Sequence, residues 1–151
     1  MTVTLKEITR NNWYEATKLR VHENQEKYVA PNLYSIAQSK FYPTWVPLAI
    51  YNGDGAMVGF VMYGVEDGDK EGDYWIIRLM IDKNHQGQGY GRAAMQAVLE
   101  RIKALPTVKN IFVSYVPVNE VAEKLYASLG FEKTGTIEDG EEVVQLKVGK
   151  P

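Results

Sequence analysis

Glycine recurs at every second position in Gln86-Gly87-Gln88-Gly89-Tyr90-Gly91-Arg92, just ahead of a stretch patterned as a helix. Backbone N–H groups left free at a helix start, aided by the helix dipole, attract anions, and glycines let the backbone touch a phosphate with no Cβ between. The segment reads as a candidate phosphate cradle. Gly89-x-Gly91-x-x-Ala94 also fits the dinucleotide fingerprint, but that domain needs parallel strand–helix units and an acid about 20 residues further on. Here strands of antiparallel pattern come first, only 60 residues follow Gly91, and Tyr115-Val116-Pro117 offers no acid. A nucleotide P-loop is excluded because no Gly-Lys-Ser/Thr occurs. A tight turn without a ligand stays open on the glycines alone.

Other candidates lie apart from the cradle. Tyr126 carries a phenol able to donate a proton, yet it shares a helical stripe with Ala122 and Leu129 and fits a core position equally well. Asn119 is placed to cap that helix. Glu23 and Glu26 continue the stripe begun by Trp13, Ala16 and Leu19, so they either lie past the edge of the core or face a pocket. Residues 66–73 hold five acids and one lysine, and residues 138–142 hold four acids. These read as solvated hairpin ends, which would attract cationic substrates if they bordered a cleft. Tyr28, Tyr34, Tyr42 and Trp45 either line such a cleft or belong to the core. His85 abuts the cradle and reads as a surface turn residue, and His22 is far from it in sequence.

The elements that must position these residues follow from periodicity. Residues 2–9 alternate as a strand, with Val3, Leu5 and Ile8 apolar. Asn12 with Glu15 opens a helix over 13–28, and a shorter helix follows over 33–41. Strands are predicted at 46–52, 56–65 and 74–82, the first two joined by the turn sequence Asn52-Gly53-Asp54-Gly55. Short turns imply an antiparallel meander. The third strand is apolar nearly throughout and should be central and covered on both faces. A helix over 90–105, a strand over 109–116, a helix over 119–129 and a hairpin over 131–148, turning at Asp139-Gly140, complete the chain.

Composition removes whole classes of function. The 151 residues suit one domain, with 45% apolar and 24% charged residues. With no cysteine there is no disulfide, no iron–sulfur cluster and no acyl-cysteine. The two histidines are too few and too far apart in sequence for a metal constellation, so no metal is expected. A net charge of −2 argues against a nucleic-acid partner. No apolar run is long enough to span a membrane, and the first ten residues lack a signal-peptide core, so a cytoplasmic location is expected.

Two motifs taken together resemble the GNAT N-acetyltransferase superfamily. Gln86-Gly87-Gln88-Gly89-Tyr90-Gly91 matches Gln/Arg-x-x-Gly-x-Gly/Ala, and the segment from Asn119 to Phe131 resembles Asn-x-x-Ala-x-x-Leu-Tyr-x-x-x-Gly-Phe. The resemblance spans about residues 46–148. It implies an α/β fold over residues 1–151: one acyl-CoA N-acyltransferase domain with a mixed, mostly antiparallel, splayed sheet flanked by helices. It implies acetyl-CoA as co-substrate. The backbone of Gly87, Gln88, Gly89, Tyr90, Gly91 and Arg92, with Gln86, would hold the pyrophosphate. Leu79, Met80 and Ile81 would pair with the pantetheine arm, and a backbone N–H near Met80 or Ile81 would face the thioester oxygen. Asn119 would contact the cofactor, and Tyr126 would act as general acid. In the polyamine-acetylating members an acid is expected near position 77 or 78, where this chain has Ile77 and Arg78, so a base on that strand is in doubt. The segment Glu23-Asn24-Gln25-Glu26 and the strand from Val58 to Gly64 resemble bacterial spermine/spermidine acetyltransferases in particular. Glu23 and Glu26 are then candidates for substrate binding. A different amine acceptor, or a CoA-binding module without turnover, stands as the alternative, and the resemblance also admits a homodimer.

Overall fold

A computed structural model describes residues 2–149. Strands β1 (Thr4–Glu7), β2 (Val46–Tyr51), β3 (Met57–Gly64), β4 (Asp73–Ile81), β5 (Asn110–Tyr115), β6 (Glu132–Glu138) and β7 (Glu141–Lys147) form one seven-stranded sheet in the order β1-β2-β3-β4-β5-β7-β6. Helices α1 (Trp13–Lys18), α2 (Asn32–Ser39), α3 (Tyr90–Lys103) and α4 (Glu120–Ser128) flank it. All strand pairs are antiparallel except β4–β5, which α3 connects and which run parallel. The mixed, mostly antiparallel α/β sheet that the family resemblance implies is the observed one.

Both hairpin turns form where the turn chemistry placed them. Asn52 Oδ1 accepts from the N–H groups of Asp54 and Ala56, and Gly55 adopts φ 82°. Asp139 and Gly140 both take positive φ, at 50° and 79°, as a two-residue hairpin with matching twist requires. Strand β3 is buried at every residue because both faces are covered. Val61 and Tyr63 pack towards the α3 side with Val98 and Ile102, whereas Phe60 and Met62 pack with Leu19 and Ile36.

Two expectations for the elements fail. The helix over 13–28 stops at Lys18, and residues 23–28 form a separate 3₁₀ turn. The cause is tertiary. Buried Asp82, at the end of β4, accepts the Arg20 N–H at 2.9 Å, and the Lys83 N–H donates to Arg20 O at 2.7 Å. These bonds hold Leu19 and its neighbours extended, so the stripe through Glu23 and Glu26 does not exist. Asn12 does not cap α1 with its side chain. Its Oδ1 accepts from the Thr9 N–H and its Nδ2 donates to Glu7 O, tying the turn back to β1. The second failure concerns β4. It is the central strand, but only Ile76 and Met80 are buried. Its apolar residues pack against core clusters on both faces, and residues 76–81 also line an open cleft that leaves most of them only half-buried.

Candidate active site

The cleft starts where the sheet splits. β4 and β5 pair only at Asp73–Asn110, Tyr74–Ile111 and Trp75–Phe112. One residue later the β3–β4 register slips, with Tyr63 opposite Ile76 and Met62 opposite Arg78, so Ile77 is an inserted bulge residue. A bulge bends its strand and strengthens the local twist. From there on β4 has no strand partner on its β5 side. Gly59 lets β3 follow it closely, since a Cβ there would lie 2.5 Å from Met80 O. The resulting cleft has a volume of about 740 Å³. Its walls are residues 76–81 of β4, Val113, Ser114 and Tyr115 of β5, the inner side of α4, the glycine turn, and residues 25–31 between α1 and α2.

At one end lies the cradle. Gly87 and Gly89 adopt φ 78° and 88°, a left-handed conformation that side-chain-bearing residues avoid. A Cβ on Gly87 would meet nothing within 4 Å, so the space beside it is open. Gly89 occupies the cap position of α3 with no side chain to bond the first-turn N–H groups, and no acid sits in that first turn. Gly89, Tyr90, Gly91 and Arg92 line the cleft. Gly91 is helical, and a Cβ there would make ordinary contacts at 3.9 Å, which is why alanine also suits that place in the motif.

The remaining cradle residues act on the scaffold. Gln86 Nε2 donates to Gln25 Oε1 at 2.9 Å and to Ile81 O at 2.9 Å, while Gln25 Nε2 donates back to Gln86 Oε1 at 3.2 Å. This reciprocal amide pair joins the glycine turn to the segment on the opposite wall. Tyr90 OH accepts from Asn52 Nδ2, and Arg92 donates to Ser128 Oγ at 2.7 Å, fixing α3 to the β2–β3 turn and to α4. Gln88 is exposed and lies outside the cleft walls.

Leu79, Met80 and Ile81 line the cleft along the part of β4 that β5 leaves unpaired. Asn119 caps α4 through Oδ1, which accepts the Ala122 N–H at 3.3 Å, and it also lines the cleft. Tyr126 is both core and cleft wall. It is 7% exposed, packed between Tyr115 and Phe131 at ring separations of 6.1 and 6.0 Å. Burial pushes its phenol pKa well above the ordinary value, and nearby Glu141 adds to the shift, so the hydroxyl stays protonated.

The acceptor-side expectations divide. Both glutamates are exposed, with Glu26 at the cleft wall and Glu23 outside it. The helix that would have aligned the two is broken between them and Ala16. Of the four aromatics only Tyr28 lines the cleft; Tyr42 and Trp45 stack on each other at 4.2 Å. His85 ends the short 3₁₀ turn before the cradle, partly exposed, with Nδ1 3.5 Å from Asp82 Oδ2. The acidic hairpin at 138–142 does border the site, through Glu141. Glu66, Glu138, Asp139 and Glu141 also line an adjoining cavity of about 190 Å³ beside Arg78. Burial, with Asp69 next in weight, raises the Glu66 pKa. Half-buried Arg78 donates to Gln38 Oε1 and to Ile77 O, and desolvation lowers its pKa. Sequence reasoning did not single out Glu141 or its partner Ser114. The only available signal was the hairpin's acidity, which is shared by many solvated turns. Among the described residues no group of three histidines, aspartates or glutamates converges as a metal site, and no helix is long and apolar enough to cross a membrane.

A parallel strand pair splays beside a glycine-rich helix start, and the strand edge left open leads inward to a buried phenol. The chain belongs to the acetyltransferase (GNAT) family, whose model matches residues 6–131. It is an acetyl-CoA-dependent N-acetyltransferase. Its relatives include a probable spermine N(1)-acetyltransferase of Bacillus subtilis subsp. natto, 30% identical over 97% of this chain and 99% of that protein. A spermine/spermidine N(1)-acetyltransferase of Bacillus subtilis strain 168 is 29% identical over the same shares. Among solved structures, spermidine N-acetyltransferase from Vibrio cholerae in complex with CoA and spermine superposes with a TM-score of 0.77 at 17% identity, covering 97% of this chain and 95% of that one. An aminoglycoside acetyltransferase in complex with coenzyme A reaches 0.81 at 19% identity with the same coverage. At these identities the two structures establish the shared fold.

Proposed function

We propose that this enzyme transfers the acetyl group of acetyl-CoA to a primary amine of a small polyamine, spermidine or spermine, by direct attack within a ternary complex. The observation that carries the reading is the near-full-length similarity to two enzymes named for spermine or spermidine. The acids at the cleft support it: Glu26 on one wall, Glu141 on the other and Glu66 in the adjoining cavity suit a chain of ammonium groups.

Acetyl-CoA supplies an activated acyl carbon and a thiol leaving group. The chain's own residues do the rest. Free N–H groups from Gly87 to Arg92 receive the pyrophosphate. The unpaired edge at Leu79, Met80 and Ile81 receives the extended arm, and a backbone N–H near Met80 or Ile81 stabilises the oxygen that gains negative charge. With its Oδ1 engaged as cap, Asn119 keeps its amide nitrogen as a donor towards the cofactor. Tyr126 gives its proton to the departing sulfur. Unperturbed pKa values of about 10 and 8.5 make that transfer uphill by roughly 2 kcal/mol. Burial of Tyr126 widens the gap, so the proton moves only as charge builds on sulfur during C–S cleavage.

The test is thiol release from acetyl-CoA with spermidine, spermine, a diamine, a lysine peptide and an aminoglycoside. Fast release with the polyamines and little with the peptide is expected. Release with the peptide or the aminoglycoside alone would discard the polyamine assignment while keeping the chemistry.

A further inference from the structure

Resting on the acetyl-transfer reading above, we propose that Glu141, oriented by Ser114 where β5 and β7 meet the cleft, takes the proton that the acceptor nitrogen loses. Strand β4 presents no carboxylate at this point, since Ile77 and Arg78 stand there. His85 stands just before the cradle with its Nδ1 3.5 Å from Asp82 Oδ2. Glu141 supplies what the strand lacks. It is the first residue of β7, directly after the Asp139-Gly140 turn, and β7 pairs with β5 so that Ser114 faces Val143 and Tyr115 faces Glu142. That register sets the Glu141 carboxylate beside Ser114, whose Oγ donates to Oε1 at 2.9 Å. Its other oxygen takes no hydrogen bond from the described residues, and no described Lys, Arg or His lies within ion-pair distance of it. The neighbouring acid, Glu142, is engaged elsewhere, by Lys133 at 3.7 Å.

Glu141 lines both the main cleft and the smaller cavity, and it acts electrostatically on Tyr126. The proton donor for sulfur and the proton acceptor for nitrogen thus share one end of the cleft. The charged and titratable groups facing Glu141 are Arg78 from β4, Tyr126 from α4, Glu66 from the β3–β4 connection, and Glu138 and Asp139 from its own hairpin. The acids favour arrival of a cationic amine, and Arg78, bonded to Gln38, bounds the cavity on the far side.

The protons and electrons balance. The free-base nitrogen forms the C–N bond with its lone pair. The C–S bond breaks, its electron pair leaves on sulfur, and sulfur takes the Tyr126 proton. The nitrogen, now cationic, gives one proton to Glu141, and Tyr126 regains one from solvent as Glu141 releases its own. The products are the amide and the free thiol. Ser114 is a positioning residue that acts through Glu141.

The experiment uses Glu141→Gln, which keeps the shape and the Ser114 bond but is not basic. With the best amine of the panel, kcat at pH 7 should fall about 10²-fold, typical of a lost general base. The acetyl-CoA Kd measured by calorimetry should not move, which also reports intact folding. The deficit should narrow towards about pH 9–10, where solvent base serves an alkyl amine. Ser114→Ala should lower kcat about fivefold with KM unchanged. A Glu141→Gln effect confined to amine KM, or a loss constant across pH, would overturn the assignment, leaving charge attraction or structure as the role. Turnover by the wild type with an unimpaired Glu141→Gln would overturn this inference alone; a wild type silent towards every amine would overturn it together with the polyamine reading.

Discussion

The two ends of the cleft are built on opposite principles. The end proposed to hold the cofactor offers mostly backbone, from the glycine turn and the edge of β4 that β5 leaves unpaired, over residues 76 to 92, with Asn119 added from the start of α4. The end proposed to hold the acceptor draws on side chains from distant places, with Glu26 between α1 and α2, Glu66 after β3, and Glu141 on the last strand. A backbone site needs only the right conformation, so it tolerates change wherever φ is ordinary and fails where φ is left-handed. A side-chain site is set by residues from separate elements and can be retuned one carboxylate at a time. Similar folds therefore serve proteins whose names record different amines.

The contrast can be broken hardest at Gly89. A Gly89→Asp substitution sets a carboxylate beside the phosphate position and forces a β-carbon onto φ 88°. Two lost hydrogen bonds to a charged group together with left-handed strain amount to about 3–5 kcal/mol. Acetyl-CoA affinity should drop several hundredfold or more by calorimetry, and an unaltered Kd would remove the glycine turn from the cofactor site. Next in size, Tyr126→Phe keeps the ring between Tyr115 and Phe131 and removes only the hydroxyl. Turnover should fall by roughly 10²-fold with acetyl-CoA binding preserved; wild-type turnover in this variant would take the phenol out of the chemistry. The smallest effect tests whether the ends are independent. The Gln25–Gln86 amide pair bridges them, and each of its bonds contributes about 1 kcal/mol. Gln86→Ala should weaken acetyl-CoA about fivefold and raise the amine KM by a similar factor. Gln25→Ala should do the same, and the double variant should be no worse than either single one. Simple additivity would mean that the two walls are not coupled through this pair.

Local chemistry and period were enough for much of the fold. The Asn52–Gly55 and Asp139–Gly140 turns, the alternation on β5 and the α3 stripe through Ala94, Val98 and Ile102 each depend on neighbours within a few residues. The end of the first helix is decided from outside its own segment. Asp82, 62 residues beyond Arg20, captures the Arg20 N–H, and no periodicity within residues 13–28 reports that bond. The same holds for β4, whose apolar run reads equally as a strand buried in a core and as the wall of a cleft.

By itself the sequence determined that a glycine turn opens a helix after an apolar strand, that a tyrosine lies on the helix following Asn119, and that the chain resembles an acetyltransferase. These are statements about short stretches, and short-range sterics and hydrogen bonding decide them. The tertiary structure alone decided that β4 and β5 part after Trp75 and Phe112, that Glu26 enters the cleft while Glu23 does not, and that Glu141 meets Ser114 beside Tyr126. Those outcomes depend on strand register, on one bulge at Ile77 and on a hydrogen bond spanning 62 residues. They are long-range contacts whose partners a linear pattern does not name.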